Sequence, residues 1–382
     1  MPSAPTKTDL DKLHDAEKII RIRQQELADA RATIKRLTTN EDDARTIREN
    51  IYKIAGYDPS PPEWTLREGR AGARGVPATI WSDWHYGEVV RMPAINIYDK
   101  RVAKRRIERL VQTTADLALN HMGRAKITYP GCIVALGGDM LGGDIHEELM
   151  KTNDRTTQQA IEDLIDLISG GLETMASAFG KLFVPCVVGN HGRSTKKMQM
   201  KERVFTSHEW NVYCGVARHF RRSKHVQFCI PETADCAFNI FDHRYLLTHG
   251  DSLGTKGGDG IIGALGPILR GTLKTHRSEA QIGRDFDTLL IGHWHQYITL
   301  PGLICNNSLK GYDEYAHLTL RAPYSRPSQA LWFTHPEHGI TAHWQVYLEG
   351  KLQPMTTAKP WCSWQEFTDT RRADADAYLG RM

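Results

Sequence analysis

From residue 76 onward, short apolar runs alternate with longer amphipathic stretches. The clearest run is Thr288-Leu289-Leu290-Ile291, whose lack of polar interruption suits a strand covered on both faces. It stops at Gly292, where the backbone is expected to turn tightly. Residues 76–81, 133–136 and 182–188 are predicted as strands on similar grounds, and residues 99–121, 156–178 and 203–222 as helices. Past Val226 strands and turns alternate. Residues 237–240 and 244–248 read as a hairpin around Asp242-His243, and 303–306 as a short strand. A second hairpin spans residues 331–347 around Pro336-Glu337-His338-Gly339. The chain therefore reads as α/β, without an internal repeat.

The region upstream is different. Residues 9–37 form a predicted helix in which Leu13, Ile20, Leu27 and Ile34 recur every seven positions, with Ala16, Arg23, Ala30 and Leu37 as a companion seam. Two readings fit: a short coiled coil joining subunits into a homo-oligomer, or an amphipathic helix lying on its own domain. Asn40 caps a second predicted helix that ends at Gly56, and Asp58-Pro-Ser-Pro-Pro makes a stiff link. The expected organisation is a helix over 1–39, a helix and Pro/Gly-rich linker over 40–75, a globular domain over 76–350, and a tail over 351–382.

Composition narrows the class. With 40% hydrophobic and 25% charged residues, the chain matches an ordinary globular protein. A net charge of +4 is too small to imply a nucleic-acid partner by itself. Seven scattered cysteines without a C-x-x-C pair argue against a disulfide framework or zinc knuckle and favour a reducing compartment. No signal-like or membrane-spanning apolar run is present, so a cytoplasmic protein without a membrane partner is expected.

Five predicted strands end in residues that bind metals: Asp83-x-His85, Gly138-Asp139, Gly189-Asn190-His191, His249-Gly250 and Gly292-His293-x-His295. Any one alone is unremarkable, since histidines and capping amides are common in structural networks. Together they supply carboxylate, amide oxygen and imidazole, which suits Mn, Fe, Zn, Ni or Co better than calcium. Two divalent ions could share one carboxylate, bind a phosphate and activate a hydroxide.

The ordered set D-x-H, G-D, G-N-H, H, G-H-x-H resembles the calcineurin-like metallophosphoesterase superfamily over residues 76–347. That resemblance implies a four-layer α-β-β-α sandwich with metals at the strand ends, here carrying an N-terminal helical extension. It implies two divalent transition metals, with manganese favoured. Asp83, His85 and His295 would hold the first, Asn190, His249 and His293 the second, and Asp139 would bridge them. His191 would be the non-ligand catalytic histidine that steadies the phosphate or protonates the leaving oxygen. The family commonly has an acidic residue after G-N-H, whereas this chain has Gly192. The acidic run Asp144-Ile145-His146-Glu147-Glu148 is a candidate replacement.

Substrate class rests on the basic residues. Arg193, Lys196, Lys197, Lys201 and Arg203 follow His191 and could hold flanking phosphates of a nucleic acid. A second basic cluster lies over residues 99–109, where a solvated helix face is the competing explanation. Residues 306–315 (NNSLKGYDEY) resemble the phage and prophage nuclease-like branch, which would place the protein in a bacterial host cytoplasm. The glycine-rich stretch 252–260 lacks G-K-[ST] and reads as a loop beside His249, able to admit substrate. The expectation is a phosphodiesterase acting on nucleic acid, of DNA nuclease or exonuclease type. Alternatives are a phosphomonoesterase for nucleotides or phosphoproteins, and a low-turnover DNA-binding accessory or scaffold.

Overall fold

The structure, a computed structural model, describes residues 75–121, 129–254 and 265–350. The heptad helix, the second helix and linker, residues 255–260 of the glycine-rich stretch and the tail lie outside the described residues. Two main sheets form the domain. The first has the order β13-β12-β1-β4-β5-β6. Its strands are β1 (Val76–Trp81), β4 (Cys132–Leu136), β5 (Leu182–Pro185), β6 (Val226–Cys229), β12 (Ser328–His335) and β13 (Gly339–Tyr347). The second has the order β10-β11-β9-β8-β7. It comprises β7 (Asp235–Ile240), β8 (His243–Thr248), β9 (Thr288–Ile291), β10 (Ile298–Leu300) and β11 (Leu303–Cys305). A small ribbon pairs β2 (Val90–Met92) with β3 (Asn96–Tyr98).

Apolar faces explain the layering. Ile80, Ala135 and Phe183 from the first sheet meet Phe238, Leu247 and Leu290 from the second in one buried cluster between them. The outer face of the first sheet, including Val134 and Val184, packs on Leu110, Leu164 and Val212. These belong to α1 (Lys100–Asp116), α3 (Thr157–Phe179) and α4 (His208–His219). The outer face of the second sheet buries Leu289 and Ile291 against Ile268 of α5 (Leu265–Gln281). Both sheets are covered on both faces, which is why their central strands read as unbroken apolar runs. The result is the expected four-layer α-β-β-α sandwich.

Local chemistry sets the boundaries. Asp99 caps α1 by accepting from Arg101 N and Val102 N, and Thr156 with Gln159 forms a capping box on α3. The predicted helix over 203–222 is broken. Arg203–Thr206 is a short 3-10 turn, and Ser207 accepts from Glu209 N to start α4 afresh. Two short helices, α2 (Glu147–Thr152) and α6 (Glu314–Leu318), complete the described set. Strands β1, β4 and β5 run parallel to one another, as do β8 and β9, so their carboxyl ends gather on one edge. No helix among the described residues is long and apolar enough to cross a membrane, and the six cysteines among them are free.

Candidate metal centre

The carboxyl ends of β1, β4, β5, β8 and β9 carry the candidate ligands, which converge in two groups. Donor atoms of Asp83, His85 and His295 lie within 4.8 Å of one another, as do those of Asp139, His249 and His293. In the first group His85 Nε2 faces His295 Nε2 at 3.0 Å, and His295 Nε2 is 3.4 Å from Asp83 Oδ1. In the second, His249 Nε2 is 3.0 Å from Asp139 Oδ2 yet has no hydrogen-bond partner. Asn190 Oδ1, from the third predicted strand end, is also buried without a partner.

The backbone is bent to bring these groups together. Asp83, His85, Asp139, His293 and His295 all adopt left-handed φ, between 47° and 66°. Such non-glycine conformations are uncommon and concentrate at functional sites, where the surrounding structure holds them in place. Close approach explains two glycines. A Cβ on Gly189 would collide with the Asp139 carboxylate, and one on Gly292 with the Asp83 carboxylate. Gly292 was expected to supply a tight turn, but the left-handed residues are His293 and His295, and the glycine makes room for the Asp83 carboxylate.

Hydrogen bonds fix the carboxylates. Asp83 Oδ2 accepts from Ser82 Oγ at 2.5 Å, and Asp83 Oδ1 from His293 N at 2.8 Å. Asp139 Oδ1 accepts from His191 N at 2.7 Å. Burial opposes charge on both, but His295 beside Asp83 and His249 beside Asp139 hold them below the usual carboxylate range. Burial also opposes charge on His249, whereas Asp139, Asp83 and Asp251 outweigh it and raise the imidazole to about 10. Burial lowers His85 and His293 to about 4. Carboxylates with no cation except imidazole, and buried nitrogen and amide oxygen donors without partners, fit a pair of divalent ions.

His191 belongs to neither group, yet a donor atom of it lies within 4.8 Å of donor atoms of His85 and Glu88. Its Nδ1 is 3.0 Å from the Gly142 carbonyl, and its ring meets the His85 ring edge-on at 4.5 Å. Gly192 is constrained, because a Cβ there would come 2.6 Å from Glu209 Cγ. Glu209 accepts from Met140 N and Gly189 N and so braces two of the strand-end loops. The proposed acidic replacement does not reach His191: Asp144 binds Thr157 Oγ1, and Glu147 and Glu148 are exposed. Instead the Gly142 carbonyl takes the ring nitrogen, and Glu88 Oε1 stands 3.7 Å away.

The basic residues divide. Lys196, Lys197 and Lys201 are exposed. Arg193 turns inward, donating from Nη1 to Asn190 O at 2.6 Å and from Nε to Thr195 O at 3.1 Å. Arg203 is only 9% exposed and pairs with Asp251 at 2.9 Å, so its predicted place among substrate contacts is corrected to a buried ion pair. In α1, Arg106 is likewise internal, donating to the Leu309 carbonyl. Sequence reasoning missed Glu88 and Glu209, and took in Lys310 only as part of residues 306–315. It did single out residues 306–315, whose buried Asn306 donates to Ser82 Oγ and whose Ser308 donates to Asp83 O.

No family model matches the chain, and no curated protein matches it. Among solved structures it is similar to Vacuolar Protein Sorting 29 from Cryptosporidium parvum, at 13% identity and TM-score 0.29, covering 69% of this chain and 86% of that one. A predicted phosphoesterase from Streptococcus pneumoniae TIGR4 aligns at 11% identity and TM-score 0.25, covering 71% and 98%. The cold-active protein-tyrosine phosphatase of a psychrophile Shewanella species aligns at 11% and 0.26, covering 75% and 85%. At such scores these likenesses carry no functional weight, which rests on the residues themselves.

Proposed function

We propose that the chain is a dinuclear metal-dependent phosphoesterase that hydrolyses phosphodiester bonds of nucleic acid. The observation behind this reading is the convergence of two buried donor groups at the carboxyl ends of parallel strands. Asp83, His85 and His295 would hold one ion and Asn190, His249 and His293 the other, with Asp139 shared. When bound, such ions supply Lewis acidity toward phosphoryl oxygens and a nucleophile at neutral pH. His191 supplies what they do not. With Nδ1–H donated to the Gly142 carbonyl, Nε2 is the nitrogen free to carry a proton to the leaving oxygen. Arg193 ties the loop after His191 to Asn190, and Lys196, Lys197 and Lys201 extend from that loop into solvent. Positive charge placed there supports a polyanionic substrate over a small monoester.

Manganese-loaded protein should cleave bis-p-nitrophenyl phosphate and labelled DNA faster than p-nitrophenyl phosphate. Replacing Lys196, Lys197 and Lys201 together with alanine should flatten the salt dependence of DNA binding by roughly 2–3 units of log–log slope. Turnover of the small diester should barely change. Faster cleavage of the monoester, with DNA binding untouched by the triple substitution, would instead favour a nucleotide or phosphoprotein phosphatase.

A further inference from the structure

Behind the first donor group lies a buried chain of charges that ion binding does not consume. Glu88, 4% exposed, places Oε1 3.0 Å from His85 Nδ1 and 3.7 Å from His191 Nδ1. Its other oxygen accepts from Lys310 Nζ at 2.7 Å. Lys310, also 4% exposed, meets Asp313 at 2.7 Å on its far side. Asp313 in turn accepts from Ala316 N and caps α6. Lys310 therefore pins one oxygen of Glu88 and leaves the other for two imidazoles. The loop after Asp139 makes room for this arrangement, since a Cβ on Gly142 would come 2.5 Å from Glu88 Cγ.

We propose that Glu88 is a positioning residue: it holds His85 with the proton on Nδ1, so that Nε2 faces Asp83 and His295, and it braces the His191 ring alongside. This rests on the metallophosphoesterase reading. A carboxylate on the far nitrogen of a metal-binding histidine fixes both tautomer and ring orientation. Glu88 reaches His191 from a different strand end, where position 192 is closed to any side chain by Glu209. Neither Glu88 Oε1 nor His85 Nδ1 makes a hydrogen bond of good geometry to any group, so their 3.0 Å approach is the contact each has to offer the other. Lys310 gives the arrangement its polarity. An ammonium offers only donors, so the group facing it must be an acceptor.

That polarity makes the proposal testable. In Glu88→Gln, Lys310 should capture the amide oxygen and turn the amide NH2 toward His85. The NH2 then selects the opposite tautomer, with the proton on Nε2 where the ion belongs. Nitrogen-15 imidazole spectra of the metal-free proteins should show His85 protonated on Nδ1 in the parent and on Nε2 in Glu88→Gln. Manganese affinity at one of two sites should fall roughly 10–100-fold, and turnover of the small diester should fall with it at little change in KM. Adding Lys310→Met frees the amide to rotate, so the double variant should recover Nδ1 protonation and part of the affinity. A folded Glu88→Gln protein with the parental tautomer and affinity would overturn the proposal, as would a folded double variant no better than the single one. Both leave the metallophosphoesterase reading standing if the parent binds two ions. A parent that binds none would remove that reading and this proposal together.

Discussion

The two halves of the candidate metal centre use one device with different materials. In each, a histidine whose Nε2 faces the site has an acceptor behind its Nδ1. Behind His249 stands a neutral acceptor, the Gly137 carbonyl at 2.8 Å, whereas behind His85 stands the Glu88 carboxylate at 3.0 Å. The charges in front differ as well. His249 lies against Asp139 and is raised to about 10, while burial lowers His85 to about 4. Without metal, one half presents a neutral ring to an incoming ion and the other presents an imidazolium. Similar ligand lists can thus conceal unequal costs of loading.

The severest way to break this comparison is Asp139→Asn. The substitution removes the carboxylate that faces His249 and accepts from His191 N, and with it the charge both halves are proposed to share. Metal analysis should fall from two ions per chain to none, and turnover with it. One ion retained at full affinity would mean the halves are independent.

Lys310→Met should cost about 3–5 kcal/mol of stability in denaturant titrations, because it leaves Glu88 and Asp313 buried without their shared cation. Such a loss with His249 chemistry unchanged would locate the charge chain in the first half alone.

The gentlest test is proton release. A histidine raised above its unfolded value of about 6.5 stabilises the metal-free protein fully below that pH, and the stabilisation is lost as pH rises through about 10. An ion at His249 must displace that proton. Affinity for one of the two ions should therefore rise about tenfold per pH unit between pH 7 and 9, with one proton released into a weakly buffered solution. The other ion, at the His85 half, should show little pH dependence from that histidine over the same range. Equal slopes for both ions would erase the asymmetry.

Much of this centre was legible because the loops that carry the candidate ligands follow central strands, and such strands advertise themselves as apolar runs. All five strand ends identified from sequence lie on one edge of the sandwich. What lay hidden depended on where side chains travel after the backbone is placed. Nothing local distinguishes Glu88 from a solvated acid, and its partner Lys310 is 222 residues away. Arg203 resembles its basic neighbours in sequence, yet Asp251 draws it inside. Helix α5 was not among the predicted helices, and Gly266, Pro267 and Gly271 are poor helix formers. Gly271 is instead a point of close packing, where a Cβ would meet Leu253 Cβ at 2.7 Å. The break before α4 turned on a single hydroxyl, that of Ser207.

Each donor group draws on both sheets. Asp83, His85 and Asp139 come from strand ends of the first, whereas His249, His293 and His295 come from the second. An ion in either group would act as a clasp across the seam between the sheets, adding to their apolar contacts and to hydrogen bonds such as that between Tyr245 Oη and Thr334 Oγ1. The first sheet closes only with β12 and β13, made after the whole of the second. The ion sites draw on both sheets, so they can be complete only once the two layers have met. Metal uptake would then serve as a late checkpoint, reporting that both layers have docked in register.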